Sequence, residues 1–156
     1  MNKISSIKVN KKYNIAVITT NWNEIITEKL LSGCIEALNK HGITDENITV
    51  VTVDGAYEIA LTCNALAKTQ KYNGIVALGC VIRGETPHFD FVAGDCSRGI
   101  TDTMLETGIP IGFGLLTTDT SEQAFARAGG AKGNKGYESA ETTLNMITIL
   151  EQIKGQ

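Results

Sequence analysis

Short apolar segments alternate along this chain with longer segments of helical periodicity, and this alternation constrains the fold more than any other feature. The short segments are rich in β-branched residues and cover residues 13–20, 48–53, 74–81 and 109–116. Strands that are separated by helices pair in parallel, because each parallel step needs a long, right-handed crossover. The sequence therefore predicts an α/β fold, a three-layer α/β/α sandwich around a four-stranded parallel sheet.

Helical segments fill the intervals between the predicted strands. The first helix follows Asn21 and Asn23, which can cap a helix, and it ends at His41 and Gly42. Its apolar residues recur mostly at steps of three and four, as they do on the buried face of a helix. Further helices are predicted over residues 58–71, about 89–107, 121–128 and from a glycine-rich loop at 129–136 to about residue 154.

Composition limits the class of protein. The chain of 156 residues has no linker, so residues 1–156 are predicted to form a single domain with residues 1–12 as an N-terminal arm. A formal net charge of −3 argues against nucleic acid as a partner. The arm has no apolar core of a signal peptide, and no stretch reaches the roughly 18 apolar residues of a membrane helix. We therefore expect a cytoplasmic protein that does not bind membranes.

Four cysteines stand far apart in the sequence. No two of them form a Cys-x-x-Cys pair, and zinc sites usually need such closely spaced ligands. The chain has only two histidines, which excludes a histidine-rich metal cluster. Buried thiols are therefore the favoured interpretation of Cys34, Cys63, Cys80 and Cys96.

Candidate site residues follow the predicted strands, because ligands of doubly wound sheets bind beyond the carboxyl ends of the strands. The densest segment is 80–90, which leaves a strand and enters a helix, where free backbone N–H groups attract a phosphate. His88 is the candidate proton shuttle, and Glu85 and Asp90 are close enough in sequence to tune or orient it. The alternative is that His88 caps the helix or packs there.

Three other segments are candidates for ligand binding. Gly55, Ala56 and Tyr57 would let a planar ligand approach the backbone, and the Glu58 carboxylate either binds that ligand or favours the helix N-terminus. Trp22, the only tryptophan, either stacks on a heterocycle or belongs to the core or a partner contact.

Arg127 and Lys135 flank the glycine-rich loop and could surround a phosphate, although a solvated turn is the commoner outcome. The loop lacks the spacing of a nucleotide P-loop, and no Gly-x-Gly-x-x-Gly follows the first strand. A dinucleotide cofactor is therefore disfavoured.

Taken together, these motifs resemble the lumazine synthase family over nearly the whole chain. The order and spacing of several separated motifs agree with the family. They are Asn21-Trp22-Asn23, Gly55-Ala56-Tyr57-Glu58-Ile59, the run from Ala77 to Thr86, His88-Phe89-Asp90, Phe113-Gly114-Leu115-Leu116-Thr117, Gln123-Ala124, Arg127 and Asn134-Lys135-Gly136. The resemblance implies a flavodoxin-like fold. The sequence departs from the family at Asp54 and Ala60, where proline is common, and at Trp22 and Tyr57, where phenylalanine is common.

The resemblance implies the condensation of 5-amino-6-(D-ribitylamino)uracil with 3,4-dihydroxy-2-butanone 4-phosphate to 6,7-dimethyl-8-ribityllumazine, without a metal or organic cofactor. By the family pattern His88 moves protons and Trp22 stacks on the pyrimidine. The residues implied to hold the ring and its ribityl chain are Ala56, Tyr57, Glu58, Cys80, Val81 and Ile82. Those implied to hold the phosphate-bearing substrate are Gly84, Glu85, Thr86 and Arg127, with Lys135 nearby, and Phe113 and Arg127 are implied to come from a neighbouring subunit.

The resemblance also implies a homo-oligomer, either a pentamer or a 60-subunit icosahedral shell of twelve pentamers. It allows the arm 1–12 to pair with a neighbouring subunit, and riboflavin synthase to be a partner. Two alternatives are a riboflavin synthase, whose β-barrels do not match this α/β pattern, and a catalytically silent flavin-binding or shell-forming homologue. The presence of His88, Arg127 and Lys135 together argues against a pure scaffold.

Overall fold

A four-stranded parallel sheet forms the centre of the protein, which we describe over residues 1–155 from a computed structural model. The strand order is β2-β1-β3-β4. The strands are β1 (Ile15–Thr20), β2 (Ile48–Val53), β3 (Gly74–Ile82) and β4 (Ile111–Thr118). Every residue of β1 is buried, as expected for a parallel strand that is covered on both faces. The predicted α/β class and the parallel sheet are confirmed.

Five α-helices cover the two faces of this sheet, which makes the structure the predicted three-layer sandwich. They are α1 (Glu24–Lys40), α2 (Ile59–Lys68), α3 (His88–Thr107), α4 (Ser121–Ala126) and α5 (Lys135–Gly155). Short 3-10 helices at Asp45–Asn47 and Ala56–Glu58 precede β2 and α2. α1 and α5 share one apolar core with the sheet, and α2 and α3 share the other.

Successive residues of β1 point to opposite faces and so supply both cores. Val17 packs in the core under α1 and α5, whereas Ile18 packs in the core under α2 and α3. The four cysteines are free and buried, which confirms the expectation of buried thiols. Burial raises the pKa of Cys34 and Cys63 to about 12, and that of Cys80 and Cys96 to about 11, so all four are protonated at neutral pH.

The edges of β4 differ from the predicted segment 109–116. The strand begins only at Ile111, because the preceding residue, Pro110, has no N–H and contributes its carbonyl to Ile75 at 3.0 Å instead. It continues to Thr118, because its ladder with β3 runs as far as the pair Ile82 and Thr118. The strand is therefore shifted by two residues at the same length, and the shift places the β4–α4 turn directly beside the end of β3.

The glycine-rich segment predicted as a loop over residues 129–136 is instead a small antiparallel hairpin. Its strands are β5 (Ala128–Gly130) and β6 (Gly133–Asn134). Gly129 and Gly133 have φ values of 101° and 80°, which side chains rarely adopt, so these glycines allow the hairpin to form. The hairpin also starts α5 at Lys135, because the Lys135 N–H donates to the Arg127 carbonyl at 2.8 Å.

The N-terminal arm, residues 1–12, has no helix or strand and lies against α5 of its own chain. The Ile7 N–H donates to Thr148 Oγ1 at 3.3 Å, and Gln152 Nε2 donates to the Ser5 carbonyl at 2.7 Å. Among residues 1–155, none of the helices has the length and apolarity that a membrane crossing needs.

α1 and α5 approach each other at small residues. A Cβ atom added at Gly136, in the first turn of α5, would lie 2.7 Å from the Leu30 carbonyl carbon. The side chain of Asn134 fills the space over Gly33 of α1 and donates to the Lys29 carbonyl at 3.0 Å. The hairpin and the start of α5 are therefore fixed on α1.

We expect Gly136→Ala to lower the free energy of unfolding by about 1–3 kcal/mol, because the new methyl group meets backbone that cannot rotate away. Urea unfolding at one protein concentration measures this change. Gly155→Ala, where an added Cβ meets nothing within 4 Å, is the control and should change stability by less than about 0.5 kcal/mol. A Gly136→Ala protein as stable as the control would contradict the close contact of α1 and α5.

Candidate active site

A cavity of about 500 Å³ opens at the carboxyl ends of β1, β2 and β3, on the side covered by α2 and α3. Its lining comes from the three turns that follow these strands and from the first turns of α3. The lining residues are Thr20, Trp22, Asn23, Gly55, Ala56, Tyr57, Glu58, Cys80, Val81, Ile82, His88, Phe91 and Val92. The structure therefore brings eight predicted site residues together: Trp22, Ala56, Tyr57, Glu58, Cys80, Val81, Ile82 and His88.

A larger cavity, of about 630 Å³, lies at the opposite end of the sheet. Asn73 and Pro110, which precede β3 and β4, are part of its lining. None of the predicted site residues lines it, and ligands of such sheets bind at the other end. We therefore place the functional site in the smaller cavity.

The turn between β1 and α1 is held by the neighbouring strands. The Asn21 and Trp22 N–H groups donate to the carbonyls of Val53 and Asp54 at 2.9 and 3.0 Å, which continues the β1–β2 ladder past the strand ends. The expectation that the Asn23 side chain caps α1 is wrong: its backbone has a left-handed φ of 59°, and Asn23 Nδ2 donates to the Cys80 carbonyl at 2.9 Å. Asn23 therefore ties this turn to the end of β3.

Trp22 lies over the backbone of Gly55. A Cβ atom added at Gly55 would lie 2.5 Å from Cζ3 of the indole, so only glycine leaves room for this ring position. The residue is 63% exposed, which excludes a place in the core of the single chain. The indole is thus held against the backbone of Gly55, and its exposed part can contact a ligand or a partner.

Two hydrogen bonds between Gly55 and Glu58 stabilise the turn between β2 and α2. Glu58 Oε2 accepts a hydrogen bond from the Gly55 N–H at 3.1 Å, and the Glu58 N–H donates to the Gly55 carbonyl at 3.2 Å. The carboxylate thus takes the capping role that was one interpretation of Glu58, while the residue still lines the cavity. Tyr57, which lies between them, remains exposed.

The turn between β3 and α3 places His88 at the first position of α3, at the rim of the cavity. Gly84, Glu85 and Thr86 form an exposed loop just before it. The N-cap residue of α3, Pro87, makes no side-chain hydrogen bond, and Thr86 Oγ1 accepts a long hydrogen bond from the His88 N–H at 3.4 Å. Free N–H groups at a helix start favour an anion, so the loop and α3 can hold a phosphate next to the histidine.

Within residues 1–155, neither Glu85 nor Asp90 forms a hydrogen bond with the His88 ring, so the expectation that they orient His88 is wrong. The Asp90 carboxylate accepts hydrogen bonds from Arg83 at 3.1 and 3.4 Å instead. Arg83 also donates through Nε to Asp119 at 3.2 Å. The hydrogen bonds with Asp90 and Asp119 raise the pKa of Arg83, which therefore stays charged.

Arg127 and Lys135 lie in a separate, smaller cavity of about 290 Å³ beside the end of β4. Arg127 Nη1 donates to the Gln123 carbonyl at 3.0 Å, and Lys135 pairs with Glu138 at 3.6 Å. Phe113 lies partly exposed on β4, which is an edge strand. Within one chain the structure does not bring these three residues into the cavity that holds His88.

Sequence reasoning missed several residues of the site. Phe91 and Val92 line the cavity, and the spacing of Phe91 three residues after His88 on the predicted helix was a usable signal. The role of Arg83 had no local signal, because one of its two carboxylate partners lies on a distant turn. Among residues 1–155 no group of three or more His, Cys, Asp or Glu residues could hold a metal ion.

Comparison with known proteins gives a consistent result. The family model described as 6,7-dimethyl-8-ribityllumazine synthase matches residues 12–151. A protein of that name from Edwardsiella ictaluri is 49% identical over 155 residues, which cover 99% of each chain. Proteins of the same name from Nitratidesulfovibrio vulgaris (strain DP4) and Yersinia pestis (strain Pestoides F) are 47% and 46% identical; the first match covers 92% of each chain, and the second covers 99% of this chain and all of the relative.

We expect Gly55→Ala to displace the Trp22 indole, because the new methyl group would occupy the position of the ring. Since Trp22 is the only tryptophan, intrinsic fluorescence reports on this displacement directly. The control is Gly84→Ala, where an added Cβ meets nothing within 4 Å. An emission spectrum that changes equally, or not at all, in both variants would contradict the contact of Trp22 with Gly55.

Proposed function

Because this chain belongs to the 6,7-dimethyl-8-ribityllumazine synthase family, we propose that the cavity at the carboxyl ends of β1, β2 and β3 is one half of its active site. The protein is a transferase of riboflavin biosynthesis. It condenses 5-amino-6-(D-ribitylamino)uracil with 3,4-dihydroxy-2-butanone 4-phosphate, and it releases 6,7-dimethyl-8-ribityllumazine, phosphate and water. The observation that carries the assignment is His88, which begins α3 in the same cavity as the exposed Trp22.

The pyrimidine substrate occupies the inner part of this cavity. Trp22 stacks on the ring, and Ala56, Tyr57 and Glu58 bind the ring and its ribityl chain from the β2–α2 turn. Val81, near the end of β3, lines the same space. The exposed indole and the three converging turns support this placement. Cys80 and Ile82 are the other two residues proposed to bind the pyrimidine substrate in this part of the cavity.

The phosphate-bearing substrate lies at the start of α3. Gly84, Glu85 and Thr86 surround its phosphate, with N–H groups at the helix start as donors. The sparse capping of α3 supports this placement, because Pro87 makes no side-chain hydrogen bond and Thr86 Oγ1 engages only the His88 N–H, at 3.4 Å, which leaves other donors for an anion. The two substrates then meet beside His88.

His88 acts as the proton shuttle of the condensation. An amine attacks the ketone, an imine forms, phosphate leaves and the second amine closes the ring, and each step moves a proton. Holding two substrates in the right orientation supplies much of the rate. General acid–base help from His88 then contributes roughly 10²–10⁴-fold.

The second half of each site comes from a neighbouring subunit. We propose that Phe113, Arg127 and Lys135 reach the His88 cavity of the next chain, since their positions on β4, directly after α4 and at the start of α5 keep them out of the cavity of their own chain. A head-to-tail ring of identical subunits provides such a seam at every contact, because each chain presents two different surfaces.

The assembly follows from this arrangement. We propose a pentamer, free or built into a 60-subunit shell of twelve pentamers, in which the arm 1–12 exchanges its contacts on α5 for pairing with a neighbour. Residues 1–156 act as one domain of this assembly. Riboflavin synthase, which uses the product, is the proposed protein partner, and the cytoplasm is the proposed location.

Mixing both substrates with the protein should produce the fluorescence of the lumazine together with an equal amount of phosphate. His88→Ala should lower kcat by roughly 10²–10⁴-fold without abolishing turnover. His41→Ala is the matched control, because the other histidine pairs with Glu141 at 2.7 Å, away from the cavity, and its loss should leave kcat unchanged. Substrate binding without any turnover in the parent protein would instead identify a silent homologue.

Mixed assemblies test the division of the site between two chains. Trp22→Ala/His88→Ala should be almost inactive, and Arg127→Ala should lose roughly 10- to 150-fold in kcat/KM for the phosphate-bearing substrate, because it loses a charge-assisted contact worth about 1.5–3 kcal/mol. Unfolded together and reassembled, they should regain part of the activity, because some seams pair two intact halves.

Reassembly of each variant alone is the control for this experiment. Mass spectrometry must show that mixed rings have formed. If mixed rings are no more active than the sum of the two variants, Arg127 serves the site of its own chain and the proposed division fails.

A further inference from the structure

Arg83 stands at the end of β3, where three elements meet. Its guanidinium donates two hydrogen bonds to Asp90 of α3 and one to Asp119 of the β4–α4 turn. Its Cζ atom lies 4.4 Å from the centre of the Phe89 ring. The backbone of Arg83 is fixed as well, since its N–H donates to the Thr118 carbonyl at 2.8 Å.

The hydrogen bonds of Arg83 determine the position of the Asp90 carboxylate. Asp90 is the third residue of α3, where the partial positive charge of the helix N-terminus attracts an acidic side chain. A carboxylate turned toward the helix start would be an internal anion at the place proposed for the substrate phosphate. The structure shows the opposite arrangement, because both oxygens of the Asp90 carboxylate accept hydrogen bonds from Arg83.

Asp119 fixes the direction in which Arg83 points. It follows β4, which lies on the far side of β3 from β1 and the cavity. The Asp119 N–H donates to Gln123 Oε1 at 2.8 Å, which ties the turn to α4. Arg83 therefore extends away from the cavity, and it holds Asp90 on that side.

We propose that Arg83 is a positioning residue that keeps the anion site at the start of α3 open by holding the Asp90 carboxylate away from it. This inference rests on the proposed function, because it takes the start of α3 as the phosphate site. Arg83 is not itself a ligand of the phosphate in this account. Its effect on the substrate is indirect, through the carboxylate that it withholds.

The geometry explains why arginine suits this position better than lysine. The planar guanidinium donates to both oxygens of Asp90, to Asp119 and stacks on Phe89 at the same time. A lysine ammonium could neutralise one carboxylate but could not fix its orientation in this way. The direction of Asp90, and not only its charge, is what the network controls.

The test uses inorganic phosphate as a competitive inhibitor against the phosphate-bearing substrate in the assembled enzyme. Arg83→Met, which retains the apolar stem, should raise the inhibition constant of phosphate about fivefold to tenfold, because the released Asp90 then competes for the helix start. The KM of the pyrimidine substrate should not change. Asp90→Asn alone should bind phosphate at least as well as the parent.

The double variant Arg83→Met/Asp90→Asn separates this role from a structural one. With the competing carboxylate removed, its inhibition constant should return to within about twofold of the parent value. Arg83→Met/Asp95→Asn is the matched control, because it makes the same change in net charge on the same helix at a residue that pairs with Arg98. This control should stay as weak as Arg83→Met.

Other results would overturn the inference. If Asp90→Asn weakens phosphate binding, or if the double variant binds phosphate no better than Arg83→Met, the network stabilises the local structure and does not keep the anion site open. The Asp90→Asn result decides the matter even if Arg83→Met does not fold, which its thermal melting curve will show. A parent enzyme that phosphate does not inhibit would overturn the proposed phosphate site itself.

Discussion

The parallel pairing of β1 with β2 on one side and β3 on the other is the constraint on which the rest of the structure depends. The three parallel strands have their carboxyl ends at one edge of the sheet, so the turns that follow them lie close together. In sequence, more than thirty residues separate the first turn from the second, and more than twenty separate the second from the third. The cavity of about 500 Å³ is the space between these turns. Its position needs no special sequence, only the right-handed crossovers that parallel strands require.

Backbone contacts between the turns then give this cavity its shape. The Trp22 N–H is bound to the Asp54 carbonyl, and the Asn23 side chain is bound to the Cys80 carbonyl. Each contact links the end of one strand to the end of its neighbour, so the three turns are positioned as one unit. Gly55 matters for the same reason, because any side chain there would push the indole away from the β2 turn. The side chains that line the cavity are thus held in place by backbone groups and by the Asn23 amide at the strand ends.

The sequence alone predicts the fold well, because the signals for it are local. Residues 48–53 and the helix that ends before Gly42 are evident from β-branched runs, apolar periodicity and glycine. Most members of the cavity were also predictable, since they follow the strands or match the family motifs, but Phe91 and Val92 of α3 were missed. Pairings over long distances were not predictable. Arg83 could have bonded many carboxylates, and only the β3–β4 pairing explains why Asp119 is one of its partners.

The distribution of exposed aromatic residues gives a physical reason for a divided site. Trp22, Tyr57 and Phe91 lie around one cavity and are 63%, 59% and 68% exposed in the single chain. Contacts with a ligand cover part of such a surface, but apolar rings grouped at a rim usually mark a surface that another protein covers. Arg127 and Lys135 present the complementary case, since these two cations line a separate small cavity beside the end of β4. In the proposed seam the two surfaces meet, which removes the rings from water and brings the cations to the phosphate, and neither half does this within its own chain.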